Sequence, residues 1–83
     1  MLELYQFEEC PYCARVRKKM SELCIDFVAR NVPRKKEDRK MLMKVSGQNG
    51  VPTLVDSDIG AVIADDDDKI IAHLEKHYGG KNG

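Results

Sequence analysis

The spacing of apolar and polar residues along the chain predicts seven secondary-structure elements. Leu2 and Leu4 alternate with Glu3, which is the two-residue period of a strand. Beyond Pro11, a residue favoured at helix starts, apolar residues recur three or four positions apart, as in an amphipathic helix. Over the whole chain these two periods predict strands within residues 2–7, 25–32, 51–55 and 61–64, and helices at residues 11–23, 34–45 and 65–78.

The order is strand, helix, strand, helix, strand, strand, helix, which is typical of the α/β class. A strand–helix–strand unit is expected to cross over with a right hand and to pair its strands in parallel. The strands at residues 51–55 and 61–64 are separated by a short polar loop and are expected to form a hairpin. We therefore predict a mixed four-stranded sheet with three helices, in which the first and third strands are central. The predicted domain covers residues 1–79, and residues 80–83 form a predicted flexible tail.

Length and charge narrow the possible partners. The 83 residues support one domain, and 14 basic residues balance 14 acidic residues, so net charge gives no reason to expect nucleic acid or membrane. No stretch approaches the roughly 18 apolar residues of a membrane span. Glu3, Glu8 and Glu9 interrupt any signal-peptide pattern. We therefore expect a cytoplasmic monomer.

Three cysteines indicate a reducing compartment better than a secreted disulfide scaffold. Cys10 and Cys13 form a CxxC pair between the first strand and the first helix. Two thiols at this spacing can close into a disulfide, and the amides and dipole of the helix start stabilise a thiolate on the first sulfur. The pair therefore predicts a redox active site. Cys24 follows Met20 by about one turn, so we expect it to be a buried small hydrophobic residue.

A CxxC pair is also half of a zinc site, and His73 and His77 offer two further ligands. Zinc fingers separate their two pairs by about 12–15 residues, whereas nearly the whole chain lies between Cys13 and His73. We therefore expect no metal, and we expect the histidines to offset the dipole near the end of the last helix. A structural disulfide or inert thiols remain the third interpretation.

The second predicted helix carries a dense basic face. A run of this kind is most often a solvated helix surface, although it could also attract an anionic ligand or an acidic protein. The basic residues are Arg34, Lys35, Lys36, Arg39, Lys40 and Lys44.

Three features, in this order, resemble a dithiol glutaredoxin of the thioredoxin fold. They are the tetrapeptide Cys10-Pro11-Tyr12-Cys13 after a strand, Val51-Pro52 before the third strand, and the acidic turn of residues 65–68. The likeness covers nearly all 83 residues. Residues 51–54 and the acidic turn are also similar to the N-terminal domain of glutathione transferases. No helical C-terminal domain follows in this sequence, so we do not expect a free-standing transferase.

The glutaredoxin resemblance implies roles for the two thiols and for the residue between them. Cys10 would attack a disulfide, and Cys13 would resolve the mixed disulfide that forms. Cys10 would be the more exposed thiol, because Cys13 lies a turn inside the helix. Tyr12 would border bound glutathione.

The same resemblance places the rest of a glutathione site. Pro52 would be cis, which leaves the Val51 backbone free to pair with a cysteinyl backbone like an added strand. At the start of the last helix, the amides would bind the γ-glutamyl carboxylate and a side-chain acid would bind the α-amino group. These roles fall at Asp66 and Asp67, which can also simply cap the helix.

The implied activity is thiol–disulfide exchange that reduces protein or glutathione mixed disulfides. Its partners would be disulfide-bearing proteins and glutathione or another thiol donor, with glutathione as co-substrate and no tightly bound cofactor. One alternative is a glutaredoxin-like thioredoxin reduced by a flavoprotein reductase or another small thiol. A second alternative is a noncatalytic thioredoxin-fold module that holds a peptide or an iron–sulfur cluster.

Two positions depart from the glutaredoxin pattern. Phe7 stands where glutaredoxins commonly carry a lysine, and Glu8 and Glu9 follow it. A missing cation and two added acids predict a negative site that binds glutathione weakly. Gly50 stands in place of the family's threonine, which removes a side chain but keeps the backbone contact.

Overall fold

A computed structural model describes residues 1–79, and the predicted tail at residues 80–83 lies outside the described residues. The strands are β1 (Leu2–Gln6), β2 (Phe27–Asn31), β3 (Thr53–Asp56) and β4 (Ala61–Ala64). The helices are α1 (Pro11–Glu22), α2 (Lys40–Ser46) and α3 (Asp67–Tyr78), and a short 3₁₀ turn at Lys36–Asp38 precedes α2. The predicted order of strands and helices is confirmed.

The four strands form one mixed sheet in the order β2-β1-β3-β4. β1 pairs with β2 in parallel, with Leu2 opposite Phe27, and with β3 in an antiparallel arrangement, with Leu4 opposite Leu54. β3 and β4 form the predicted antiparallel hairpin. The central positions predicted for the first and third strands are therefore confirmed, and the molecule has the thioredoxin-like α/β fold.

The main core lies where α1 and α3 pack on the sheet. Its buried members are Leu2, Leu4, Val16, Met20, Leu54, Ile70 and Leu74. Each such side chain contributes about 1.5–3 kcal/mol by its removal from water. Leu42 of α2 is buried apart from this cluster, while α2 packs against β4. Among the described residues, no helix is long and apolar enough to cross a membrane.

The prediction of one continuous helix over residues 34–45 is wrong. The chain makes a 3₁₀ turn first, and α2 begins only at Lys40. Arg39 lies between them, only 4% exposed, and donates hydrogen bonds to the carbonyls of Pro33, Arg34 and Asn49 at 2.7, 3.1 and 2.9 Å. One of the residues assigned to a solvated basic face is therefore a buried donor that ties the segment to its neighbours.

The prediction that Cys24 is buried is also wrong. α1 ends at Glu22, with Leu23 as its C-cap, and Cys24 has a left-handed φ of 54° in the turn that follows. The helical spacing that placed Cys24 on the buried face does not apply beyond the end of α1. The thiol is exposed. Leu23 and Ile25, on either side of it, pack against the core instead.

Candidate active site

The two thiols lie at the start of α1, just after β1 ends. The Cys10 N–H donates to the Phe7 carbonyl at 3.2 Å, which closes the turn after the strand. Cys10 is the N-cap of α1, with Pro11 in the first turn, and its Sγ accepts the Cys13 N–H at 3.2 Å. The sulfur thus occupies the place that an oxygen takes in an ordinary N-cap. The partial positive charge of the helix start faces it.

The two cysteines differ in access to solvent. Cys13 has no exposed surface, and its burial, with the hydrogen bond and charge of Cys10, raises the pKa of Cys13 to about 12. Cys10 is the more exposed of the two, as expected, although only 5% of its surface is exposed. Cys10 is nevertheless part of a cleft wall and is the thiol that a ligand can reach.

Two adjoining clefts of about 330 and 220 Å³ share Tyr12, Val51 and Asp65, and we call them together the thiol groove. The larger is also lined by Phe7, Cys10, Pro11, Arg34, Lys36, Arg39 and Gly50. The smaller is also lined by Pro52 and Asp67. Two larger clefts of about 360 and 400 Å³ on the described surface contain neither Cys10 nor Cys13. Chemistry rather than size therefore identifies the candidate site.

Most residues that the resemblance assigned to glutathione come together in this groove. Tyr12, Val51, Pro52 and Asp67 all line it, and the Val51-Pro52 peptide bond is cis. Asp66 does not line it. Its carboxylate accepts the Lys69 N–H at 3.0 Å as the N-cap of α3. Of the two acids predicted as ligand contacts, one borders the groove and the other caps the helix.

Asp65 borders both parts of the groove and was not among the residues predicted to contact a ligand. It has a left-handed φ of 51°, and its N–H donates to the Pro52 carbonyl at 2.9 Å. A Cβ on Gly50 would lie 2.3 Å from the Asp65 Cγ, so the glycine makes room for this carboxylate. Within a run of four aspartates, nothing in the sequence marks which one lies against Gly50.

The expectation of a negatively charged site is wrong. The Arg34 and Arg39 guanidinium carbons lie 5.6 and 5.5 Å from the centre of the Phe7 ring. Arg34 Nη2 also pairs with Glu9 Oε1 at 2.7 Å. Cations from the segment between β2 and α2, including Lys36, therefore surround the position where a lysine was missing from the pattern.

The sequence predicted that His73 offsets the dipole near the end of the last helix, but in the structure it contacts a buried acid. Its Nε2 lies 2.8 Å from Oδ2 of Asp56, a fully buried carboxylate at the end of β3. The His77 ring centroid is 4.5 Å from the His73 centroid. Over residues 1–79, no three His, Cys, Asp or Glu side chains are grouped so that they could hold a metal ion. His73 thus links α3 to the sheet instead of serving the end of the helix as predicted.

Comparison with known proteins places this geometry in a family. Residues 4–82 match the family described as the N-terminal domain of glutathione S-transferase. The chain belongs to this family. As a glutathione S-transferase N-terminal domain, it has the expected thioredoxin-like sheet with the groove at the start of α1. The match covers far more than half of the 83 residues.

Relatives of this transferase-type domain include a glutaredoxin-like protein. An uncharacterised glutaredoxin-like protein of 8.6 kDa in the rubredoxin operon of Clostridium pasteurianum is 32% identical over 54 residues, which is 65% of this chain and 72% of that protein. Glutathione S-transferase isozyme E7 of Drosophila melanogaster is similar in structure, with a TM-score of 0.83, 30% identity and 96% of this chain covered. A glutathione transferase homologue of Drosophila mojavensis, solved with bound glutathione, has a TM-score of 0.83, 27% identity and 95% coverage. The match spans only 36% of each of these two transferase chains.

Proposed function

We propose that this domain is a thiol–disulfide oxidoreductase that reduces protein disulfides or glutathione mixed disulfides and takes its electrons from glutathione. The observation that carries the proposal is the asymmetry of the two thiols. Cys10 lies at the start of α1 in the thiol groove and accepts the Cys13 N–H, whereas Cys13 is buried with a pKa raised to about 12. Cys10 is positioned to attack the substrate, and Cys13 reacts only in the second step.

In the first step, the Cys10 thiolate attacks one sulfur of the substrate disulfide. The attacked sulfur joins Cys10 in a mixed disulfide and the substrate S–S bond breaks. The other substrate sulfur leaves as a thiolate that takes up a proton. The charge on the Cys10 sulfur is now gone. The part of the raised pKa of Cys13 that Cys10 causes is therefore removed, and Cys13 can lose its proton more easily.

In the second step, Cys13 attacks the sulfur of Cys10 and releases the second substrate thiol. The domain is left with a Cys10–Cys13 disulfide, so two electrons have passed to the substrate. Two molecules of glutathione would then restore the dithiol and form one glutathione disulfide. When glutathione itself is the partner in a mixed disulfide, only the first thiol is needed for the attack.

The thiol groove supports glutathione as the donor. The Val51 backbone and Pro52 would pair with the cysteinyl part, and Tyr12 would border it. Asp67 has a side chain that is 18% exposed and paired with Arg15, and it would meet the ligand's amino group. Lys36 and Arg34, which line the same cleft as Cys10, would meet a carboxylate. We assign Asp66 to capping α3.

Cysteine variants test the proposal. Cys10→Ser should abolish the reduction of every disulfide, whereas Cys13→Ser should retain part of the activity on glutathione mixed disulfides and lose the activity on protein disulfides. Cys24→Ser is the matched control, because this exposed thiol lies outside the thiol groove. Initial rates with a glutathionylated peptide and with a protein disulfide would separate these outcomes.

The donor is tested on the oxidised protein. Glutathione with glutathione reductase should restore the dithiol faster than a thioredoxin reductase system does. Faster reduction by the flavoprotein reductase would favour the thioredoxin-like alternative. Equal loss of activity in Cys10→Ser and Cys13→Ser on all substrates would contradict the assigned roles, and no reductase activity at all would favour the noncatalytic module.

A further inference from the structure

One of the two larger clefts lies next to the thiol groove and has no part in the chemistry described so far. It has a volume of about 400 Å³ and lies between α2 and β2, and we call it the α2 groove. Apolar side chains from three parts of the fold line it, namely Tyr5, Val32, Pro33, Met41 and Leu42. Arg30, Arg39 and Lys40 add cations, whereas Asp38 is the one acid in its lining.

α2 continues this surface with a mixed apolar and basic face. The helix has seven residues, and among its apolar side chains Leu42 is buried, while Met41 is 59% and Val45 38% exposed. Residues four apart share a helix face, so Met41 lies beside Val45 and Lys40 beside Lys44. Both lysines are exposed. Apolar surface rimmed by charge is typical of a protein-binding site, and methionine adapts to varied partners.

The charge of this region differs from that of the rest of the chain. Residues 34–45 carry six cations and two acids, a net charge of +4, although the whole chain is neutral. The Arg34–Glu9 ion pair cancels only one of these charges. Arg39 is held by three carbonyls and not by an acid, so its charge still contributes. The surface beside α2 is therefore positive.

Position connects this surface to the reactive thiol. Arg39 lines both the α2 groove and the part of the thiol groove that contains Cys10. The hydrogen bonds of Arg39 hold residues 33–39 against the loop at Asn49. A protein segment bound in the α2 groove would therefore lie directly beside the opening above Cys10.

We propose that the α2 groove docks a disulfide-bearing protein through an acidic segment with an apolar anchor. This inference rests on the proposed oxidoreductase function and names the class of its protein substrate. Charge complementarity selects an acidic partner, and the apolar lining selects a leucine-like side chain between the acids. Lys40 and Lys44 attract the acids, while the exposed Met41 contacts the anchor. Such charges act chiefly by raising the association rate and by rejecting basic partners.

Three short synthetic peptides with one internal disulfide test the proposal. The first has glutamates and one leucine beside the disulfide, the second has lysines in place of the glutamates, and the third has serine in place of the leucine. Reduction rates are expressed relative to bis(2-hydroxyethyl) disulfide, which is small and uncharged. At low salt the acidic peptide should react about 10-fold faster than the lysine peptide, and the ratio should shrink as salt rises. The serine peptide should react more slowly than the first.

Charge reversal locates the surface. Lys40→Glu with Lys44→Glu should reduce the preference for the acidic peptide by about 5- to 10-fold, because both attractions become repulsions. Lys18→Glu with Lys76→Glu is the matched control, since both are exposed lysines that line neither groove and the change in net charge is the same. A preference that survives the double reversal, or that falls equally in the control, would overturn the proposal.

A binding measurement keeps this inference separate from the proposed function. A fluorescent acidic peptide with serines in place of both cysteines should bind the parent protein and should bind the double variant weakly. If no disulfide is reduced but this peptide binds, the oxidoreductase proposal fails and the docking surface stands. If disulfides are reduced but acidic and basic peptides react alike, the docking proposal fails alone. Tighter binding of a single-stranded oligonucleotide, or self-association through α2, would also overturn it.

Discussion

Asp56 shows how much one buried residue decides. It has no exposed surface, yet its Oδ2 accepts the Tyr78 hydroxyl at 2.8 Å and lies 2.8 Å from His73 Nε2. Burial pushes the pKa of Asp56 up, but the hydrogen bonds from His73 and Tyr78 outweigh burial, so the net pKa is lowered. Burial and the contact with Asp56 raise the pKa of Tyr78 to about 12. The cluster therefore joins the end of β3 to the last turns of α3 through an ionised carboxylate.

The Asp56 cluster predicts acid sensitivity. The folded-state pKa lies below the value of about 3.9 for an unfolded aspartate, so the folded state binds fewer protons there. The stabilisation is present above about pH 4 and is lost as the pH falls through the folded-state pKa. Asp56→Asn should lower the free energy of unfolding at pH 7 by about 1–3 kcal/mol and flatten its decline in acid. Urea denaturation between pH 7 and pH 2 measures the free energy of unfolding and its dependence on pH. Asp26→Asn changes an exposed carboxylate and is the control. In this variant the free energy of unfolding should fall in acid as steeply as in the parent protein.

At the scale of elements, the segment between β2 and α2 departs most from the helical pattern. Residues 34–45 have the composition of a helix, but the chain turns at Lys36–Asp38 so that Arg39 can point inward. A guanidinium presents several donors in a rigid fork and can satisfy three carbonyls at once. The short helix α2 thus owes its position to a charged side chain as well as to Leu42.

Arg39→Lys should therefore be far from conservative. A lysine ammonium cannot reach three carbonyls in the same arrangement, and each hydrogen bond from a charged donor contributes about 1.5–3 kcal/mol. We expect the free energy of unfolding to fall by about 2–4 kcal/mol, as measured by urea denaturation. Lys35→Ala changes an exposed basic residue of the same segment and should shift it by less than about 0.5 kcal/mol. Equal stability of the two variants would show that the carbonyl contacts contribute little.

At the scale of the whole molecule, the sheet brings distant parts of the chain to one groove. The turn before α1 supplies Cys10, the loop before β3 supplies Val51, and the start of α3 supplies Asp67. Cations such as Lys36 enter from the segment after β2. The thiol groove therefore contains cations in its larger cleft and Asp67 in its smaller cleft, with Asp65 lining both.

This charge arrangement predicts how glutathione kinetics respond to substitution. Lys36→Ala should raise the KM for glutathione by roughly 2- to 5-fold, because a partly exposed ion pair contributes about 0.5–1 kcal/mol, and the effect should shrink with salt. Asp67→Ala should also raise KM, by loss of the amino-group contact. Phe7→Lys should bring no improvement, since Arg34 and Arg39 already lie over that ring. A lower KM in Phe7→Lys would show that these arginines do not replace the missing lysine.

The local patterns predicted much of this molecule. Two-residue and three- to four-residue periods depend only on which face of an element is buried, so they located the strands, α1 and α3. The CxxC pair and Val51-Pro52 are short motifs whose geometry is set by adjacent residues, and Cys10, Val51 and Pro52 line the thiol groove while Cys13 is buried behind it. The sheet order also followed from the order of elements, because handedness and short connections leave few arrangements.

Only the tertiary structure decided which polar groups meet. Arg39 binds backbone carbonyls, which every residue has, so no residue type in the sequence marks its partners. Asp65 and Gly50 are 15 positions apart, and the glycine's significance appears only when the acidic turn folds over it. His73 and Asp56 likewise pair across 17 positions, between a helix and a strand end. Periodicity reports burial along one element at a time, whereas these contacts depend on the relative placement of two elements, and that placement exists only in the folded chain.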